Sequence, residues 1–144
     1  MSGVTDLLNA AQRDFKLCLK VESDFPDEYA ISGAAYHMQQ AVEKVLKATL
    51  LMCGIQPEFT HNISKLTAAC KENHIGLPDA LDEVADTLTL WESSGRYDPF
   101  ISFSLQKYQK AKQVYKELET HLEEILHPSL RRVQKKSDGP TLSM

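Results

Sequence analysis

The sequence predicts an all-α protein, an up-and-down bundle of about five helices in a single domain. Three observations predict it. Apolar residues recur at spacings of three and four through most of the chain, and no segment alternates convincingly at period two. Pro26, Pro57, Pro78, Pro99 and Pro128 divide the chain into segments, and Gly54, Gly76 and Gly95 lie close to three of those breaks. Pro opens or ends helices and Gly terminates them, so the division is physical. Finally, 144 residues with 42% hydrophobic and 25% charged side chains have ordinary globular composition. A chain of that length buries roughly two-thirds of the surface its unfolded form exposes.

The first helix is predicted over about Val4 to Val21, with Leu7, Leu8, Ala11, Phe15, Cys18 and Leu19 inward and Thr5 or Ser2 as cap. The second runs from about Tyr29 to Met52. One of its stripes, Ala34, Met38, Ala41, Val45, Ala48 and Met52, steps by 4, 3, 4, 3 and 4, while Val42, Leu46 and Leu50 line another. A helix apolar on two sides is wedged between neighbours, so this one is central. A shorter third helix spans about Asn62 to Asn73 through Ile63, Leu66, Ala69 and Cys70. The fourth opens at Leu77-Pro78-Asp79, where Pro is pre-organised for a first turn, and continues as Leu81, Val84, Leu88 and Trp91. The fifth, about Ser104 to Leu126, repeats Tyr108, Ala111, Tyr115, Leu118, Leu122 and Ile125 at heptad spacing. Periodicity fails after His127. The domain therefore spans residues 1–126, and 127–144 is expected to be a basic, disordered tail.

Composition excludes several functions. No apolar run approaches 18 residues and the first 15 residues hold no hydrophobic signal core, so a cytoplasmic protein without a membrane partner is expected. Cys18, Cys53 and Cys70 are isolated, which excludes a disulfide framework and a CxxC motif and suggests buried structural thiols. The five histidines lack ligand-like spacing, so neither a metal site nor a cofactor is expected. The net charge of −4 is uneven. Arg131, Arg132, Lys135 and Lys136 against Asp138 make the tail +3 and leave the body at −7. An acidic body argues against a broad nucleic-acid-binding face.

Three motifs carry a family resemblance. Ala34–Leu51 reads AAYHMQQAVEKVLKATLL; Thr60-His61-Asn62-Ile63-Ser64-Lys65-Leu66 opens the third helix; Gly95-Arg96-Tyr97-Asp98-Pro99 precedes the last. In this order and spacing the chain, over about Val4 to Leu126, resembles the HEPN family (higher eukaryotes and prokaryotes nucleotide-binding), a family of helical bundles. Members of the family include ribonucleases, often toxins, that use Arg followed after four to six residues by His. Others pair with small nucleotidyltransferases, and nucleotide binding has been proposed for some. Here Arg96 is followed by Tyr97, Asp98, Pro99, Phe100, Ile101, Ser102 and Phe103, with no His. The resemblance therefore implies no catalytic residue of the family's nuclease type.

The candidate binding residues are Arg96, Tyr97, His37, Gln40, Lys44 and His61. Arg96 and Tyr97 join a fixed cation to an amphipathic ring in a Gly–Pro-bounded loop leading into a helix, which suits a carboxylate, a phosphate or a neighbouring chain. A structural Arg96 holding Asp98, Glu92 or a helix end is the competing reading. His37, beside Tyr36, contacts a ligand or is a satisfied core group. Gln40, Glu43, Lys44 and Lys47 form either a strip that reads phosphate or an opposing subunit, or an exposed face with Glu43–Lys47 and Gln40–Lys44 pairs at i, i+4. His61 and Asn62 sit where a helix begins, so capping competes with ligand contact.

The expected function is a non-catalytic interaction module. The resemblance implies a homodimer, a small nucleotidyltransferase as partner, as in toxin–antitoxin-like pairs, and a nucleotide ligand. Helices two and five also carry more apolar surface than one bundle face requires, which favours two-fold pairing. The alternatives are a divergent ribonuclease using Arg96 with a non-sequential His, and a self-associating scaffold.

Overall fold

A computed structural model describes residues 2–93 and 104–126. Within them the chain forms α1 (Ser2–Val21), a short 3-10 turn (Glu22–Asp24), α2 (Glu28–Met52), α3 (Ile63–Glu72), α4 (Ala80–Ser93) and α5 (Leu105–Leu126). There is no strand among the described residues. Arg96, Tyr97 and the tail expected over 127–144 lie outside the described residues.

α2 is the axis of the bundle. It packs along α1 and also touches α3, α4 and α5, while α4 bridges α3 and α5. Both of its apolar stripes are consumed there: Ala34, Met38, Ala41, Val45 and Ala48 are buried, and so are Val42, Leu46 and Leu50. The heptad residues of α5 from Tyr108 to Leu122 are likewise buried against the chain itself. The apolar excess that favoured a second copy is thus covered by the bundle's own helices.

Local chemistry sets the helix ends. Asp27 caps α2 by accepting from the Ala30 amide at 3.0 Å. At the other end Gly54, with φ +79°, lets its amide reach Leu51 O and the Ile55 amide reach Leu50 O, a left-handed stop that satisfies two orphan carbonyls. α3 ends the same way through His74, whose φ of 61° is unusual for a non-glycine residue. Asn62 caps α3 at the Lys65 amide, and Ser104 caps α5 at the Lys107 amide. α4 starts three residues later than expected, because Pro78 and Asp79 form a tight lead-in turn whose carbonyls accept from Leu81 and Asp82.

Three expectations are corrected. α1 begins at Ser2, so Thr5 sits inside the helix and does not cap it. Leu19 faces outward, because Val4, Ala11 and Cys18, one heptad apart, define the buried edge and turn position 19 away. Cys53 is exposed, since it lies in the stop turn of α2 beyond the last packed residue, whereas Cys18 and Cys70 are buried.

Beyond the apolar core, a polar lock ties the end of α1 to α5. Tyr108 donates its hydroxyl to Glu22 at 2.7 Å, and Lys112 donates to the same carboxylate at 3.1 Å. Burial pushes the Glu22 carboxyl up, but the bonds from Lys112 and Tyr108 outweigh it and hold the group below its usual range. Burial, reinforced by the bond to Glu22, raises the Tyr108 phenol. Phe25 meets Tyr108 edge-on at 5.3 Å, and Phe15 stacks on Tyr115 at 4.5 Å.

Candidate functional site

The polar residues of α2 are organised around two buried carboxylates. The first is Asp14, on the inward face of α1 and 8% exposed. Its Oδ1 faces His37 Nδ1 at 2.9 Å, and its Oδ2 accepts from Lys44 Nζ. His37 and Lys44 lie seven residues apart on one face of α2, so a single aspartate from α1 meets both. The second is Glu43, on α2 itself and 3% exposed. It accepts from Gln39 Nε2 at 3.0 Å, from Lys47 Nζ at 3.0 Å and from His61 Nδ1, which lies 3.1 Å from both oxygens. Gln40 donates to Gln39 Oε1 at 2.6 Å and so joins the second group. Among the described residues no buried side-chain polar atom lacks a hydrogen-bond partner.

The i, i+4 pairs expected on the strip form only in part. Of the two i, i+4 pairs expected on it, Glu43–Lys47 forms. The Gln40–Lys44 pair does not, because Lys44 is drawn to Asp14 and Gln40 to Gln39. Nor is the strip a solvated face: Glu43 and Gln39 are buried beneath the chain that leads into α3. Asn62 caps α3 as expected, but His61 does not cap. Its ring turns back onto Glu43, and Gln39 also reaches its carbonyl at 3.5 Å. His37, Lys44, Gln40 and His61 therefore lie along one stretch of α2, in two neighbouring clusters. Arg96 and Tyr97 are outside the described residues.

Each carboxylate is matched by one lysine and one imidazole. A carboxylate only accepts, so each imidazole turns an Nδ1–H toward its acid, which fixes the orientation of the ring. The His61 side chain is 56% exposed; His37 is more enclosed, with the Tyr36 ring 5.5 Å away. Such carboxylate-held imidazoles accept hydrogen bonds and transfer protons.

Asp14 and Glu43 are the residues that sequence reasoning missed or undervalued. One signal for Asp14 was present: it falls between Ala11 and Cys18 on the buried edge of α1, where a solvated acid has no place. Elsewhere, an open groove of about 740 Å³ lies between the α3–α4 connection and α5, lined by Pro78, Asp79, Lys116, Glu117 and His121 among others, and holds none of the candidates. Among the described residues no group of three or more His, Cys, Asp or Glu is placed to hold a metal, and no helix is long and apolar enough to cross a membrane.

The family model for the HEPN domain matches residues 4–132. Comparison with curated proteins and with solved structures returns no match. The match takes in both carboxylate clusters and the five described helices, α1 from Val4 onward, and the chain belongs to the HEPN domain family.

Proposed function

We propose that the chain is a non-catalytic HEPN module that partners a small nucleotidyltransferase and binds a nucleotide, and that it acts as a homodimer, a reading that rests on the family resemblance rather than on uncovered apolar surface. The observation that carries this reading is the balanced state of the α2 strip. Asp14 and Glu43 each hold a lysine and a histidine, so the strip's charges are spent on positioning α1 and the α3 entry. Arg96 has no His within the spacing that the family's nucleases use. General acid–base cleavage of RNA needs a proton acceptor and a donor within reach, and a guanidinium that stays protonated supplies neither transfer well. The part-exposed faces of His37, Gln40, Lys44 and His61, beyond the bonds that fix them, then serve as binding groups, with Arg96 and Tyr97 as contacts for an anion or the partner. Residues 1–126 form the module in this reading, and the basic segment 127–144 lies outside its core.

Co-purification from the native host, with mass spectrometry of bound proteins and nucleotides, tests the proposal. A nucleotidyltransferase in the complex supports it; recovery of the chain with neither protein nor nucleotide rejects it. Sedimentation equilibrium at tens of micromolar protein that returned the 16.2 kDa monomer would reject the dimer. Arg96→Ala is expected to weaken partner or anion binding by about 1.5–3 kcal/mol, the loss of one charge-assisted hydrogen bond.

A second reading is favoured by one observation. His37 on Asp14 and His61 on Glu43 have the oriented imidazole that a general base requires. Metal-independent RNA cleavage abolished by Arg96→Ala and by either histidine variant would establish a divergent ribonuclease and overturn the non-catalytic proposal.

A further inference from the structure

The groove between the α3–α4 connection and α5 is lined by half-buried Leu77, Pro78 and Ala80. Around them stand the carboxylates of Asp79, Glu117 and Glu124, against the single ammonium of Lys116. None of these three acids forms an ion pair among the described residues. The α5 wall is one helical stripe from Gln113 through Glu117 to Glu124, and it runs about 16 Å along the helix. Its last member, Glu124, stands two residues before α5 ends at Leu126. The groove is therefore acidic, partly apolar, and reaches the point where the chain leaves the bundle.

We propose that this groove is the docking site of the chain's own basic segment, Leu130–Lys136. Pro128 follows the end of α5 by two residues and cannot continue its hydrogen-bond ladder, so the chain changes direction there. From that turn, Leu130–Lys136 in extended form spans about 23 Å, enough to run back along the whole α5 stripe. Arg131, Arg132, Lys135 and Lys136 bring four cations to the three acids, and Leu130 and Val133 meet the apolar lining. A segment tethered this closely sees the groove at an effective concentration of about millimolar, so contacts that are weak in isolation hold it. The family match runs on to residue 132, past the end of α5, and so takes in Leu130, Arg131 and Arg132. Periodicity predicts only a solvated tail because the receiving acids come from two separate stretches, which the fold alone brings together. The proposal is independent of nucleotide and partner binding.

Backbone ¹⁵N relaxation on the isotope-labelled full chain tests this. At low salt the amides of residues 130–136 are expected to show order parameters above about 0.6, toward the value of about 0.85 for rigid backbone. Raising the salt to about 0.5 M, which shortens the screening length to about 4 Å, should drop them below about 0.6. Glu117→Lys combined with Glu124→Lys should do the same at low salt. Adding Arg131→Glu and Lys135→Glu to that variant should restore the order, which excludes misfolding as the cause of its loss. Order parameters below about 0.6 in the parent overturn the proposal. Ordered amides that ignore both charge reversals overturn the groove as their seat. Order that disappears on dilution assigns the groove to the segment of a second copy and overturns docking within one chain.

Discussion

Replacing Glu43 with alanine is expected to be among the most damaging polar substitutions in the protein. The side chain is 4% exposed and satisfies three donors from three different residues. Its removal leaves the fully buried Gln39 amide only its long 3.5 Å bond to the His61 carbonyl, and leaves Lys47, 17% exposed, facing a low-dielectric hole without its counter-charge. Breaking one side of a buried ion pair costs about 3–5 kcal/mol, chiefly because the remaining charge is uncompensated. For a domain of this size that corresponds to a fall in melting temperature of roughly 10–15 °C. Glu43→Gln keeps the shape and one acceptor but turns an amide toward Lys47, and should lose about 2 kcal/mol. Asp82→Ala supplies the contrast: the Lys71–Asp82 pair is more than half exposed at both ends, so its loss should cost less than about 1 kcal/mol. Urea denaturation followed by circular dichroism measures all three. A loss below about 1 kcal/mol for Glu43→Ala, comparable with Asp82→Ala, would refute the claim that this carboxylate organises the site.

Burial raises the Cys18 thiol to about 12 and the Cys70 thiol to about 11 from an ordinary 9.0, and the Tyr115 phenol rises for the same reason. Such groups keep their protons longer in the folded chain, so their contribution is complete below pH 9 and is lost as pH climbs toward 11 and 12. Equilibrium stability should fall at up to about 1.4 kcal/mol per pH unit for each such group in that window, and a flat profile from pH 9 to 11 would contradict it. A thiol reagent at pH 8 should modify exposed Cys53 promptly and reach Cys18 and Cys70 only on unfolding; mapping the labelled peptides settles the order. His74→Gly should stabilise the protein by about 1 kcal/mol, because glycine takes the left-handed stop of α3 without the steric cost a side chain incurs there. A lower melting temperature for that variant would count against the assignment.

The helices were legible because their cores repeat. Leu81, Val84, Leu88 and Trp91 are buried as their spacing predicts, and so are Ile63, Leu66 and Cys70. The caps at Asn62 and Ser104 follow from residue type at a helix start. The site was legible only as a set of α2 residues. Which of them pair depends on what other helices bring: Asp14 lies 23 residues from His37 and 30 from Lys44, and His61 lies 18 from Glu43. Local spacing supported Gln40–Lys44, and a better acceptor from α1 displaced it. Heptad phase, a tertiary property, likewise decided against Leu19.

The bond from Tyr108 to Glu22 joins residues 86 apart in the chain, whereas Cys18 to Ala34 and Asp14 to Lys44 span 16 and 30. Closing the longer loop costs about 4 kcal/mol of chain entropy by the logarithmic rule, against about 2.5–3 for the shorter two. The order of assembly follows from that difference. α1 and α2 can pair as a hairpin early, and the return of α5 onto the end of α1 belongs to the downhill side of the barrier. Tyr108→Phe, which deletes only the hydroxyl, should then accelerate unfolding while leaving the refolding rate nearly untouched. The lock between the two ends of the fold acts on how long the native state lasts, and hardly on how fast it is reached.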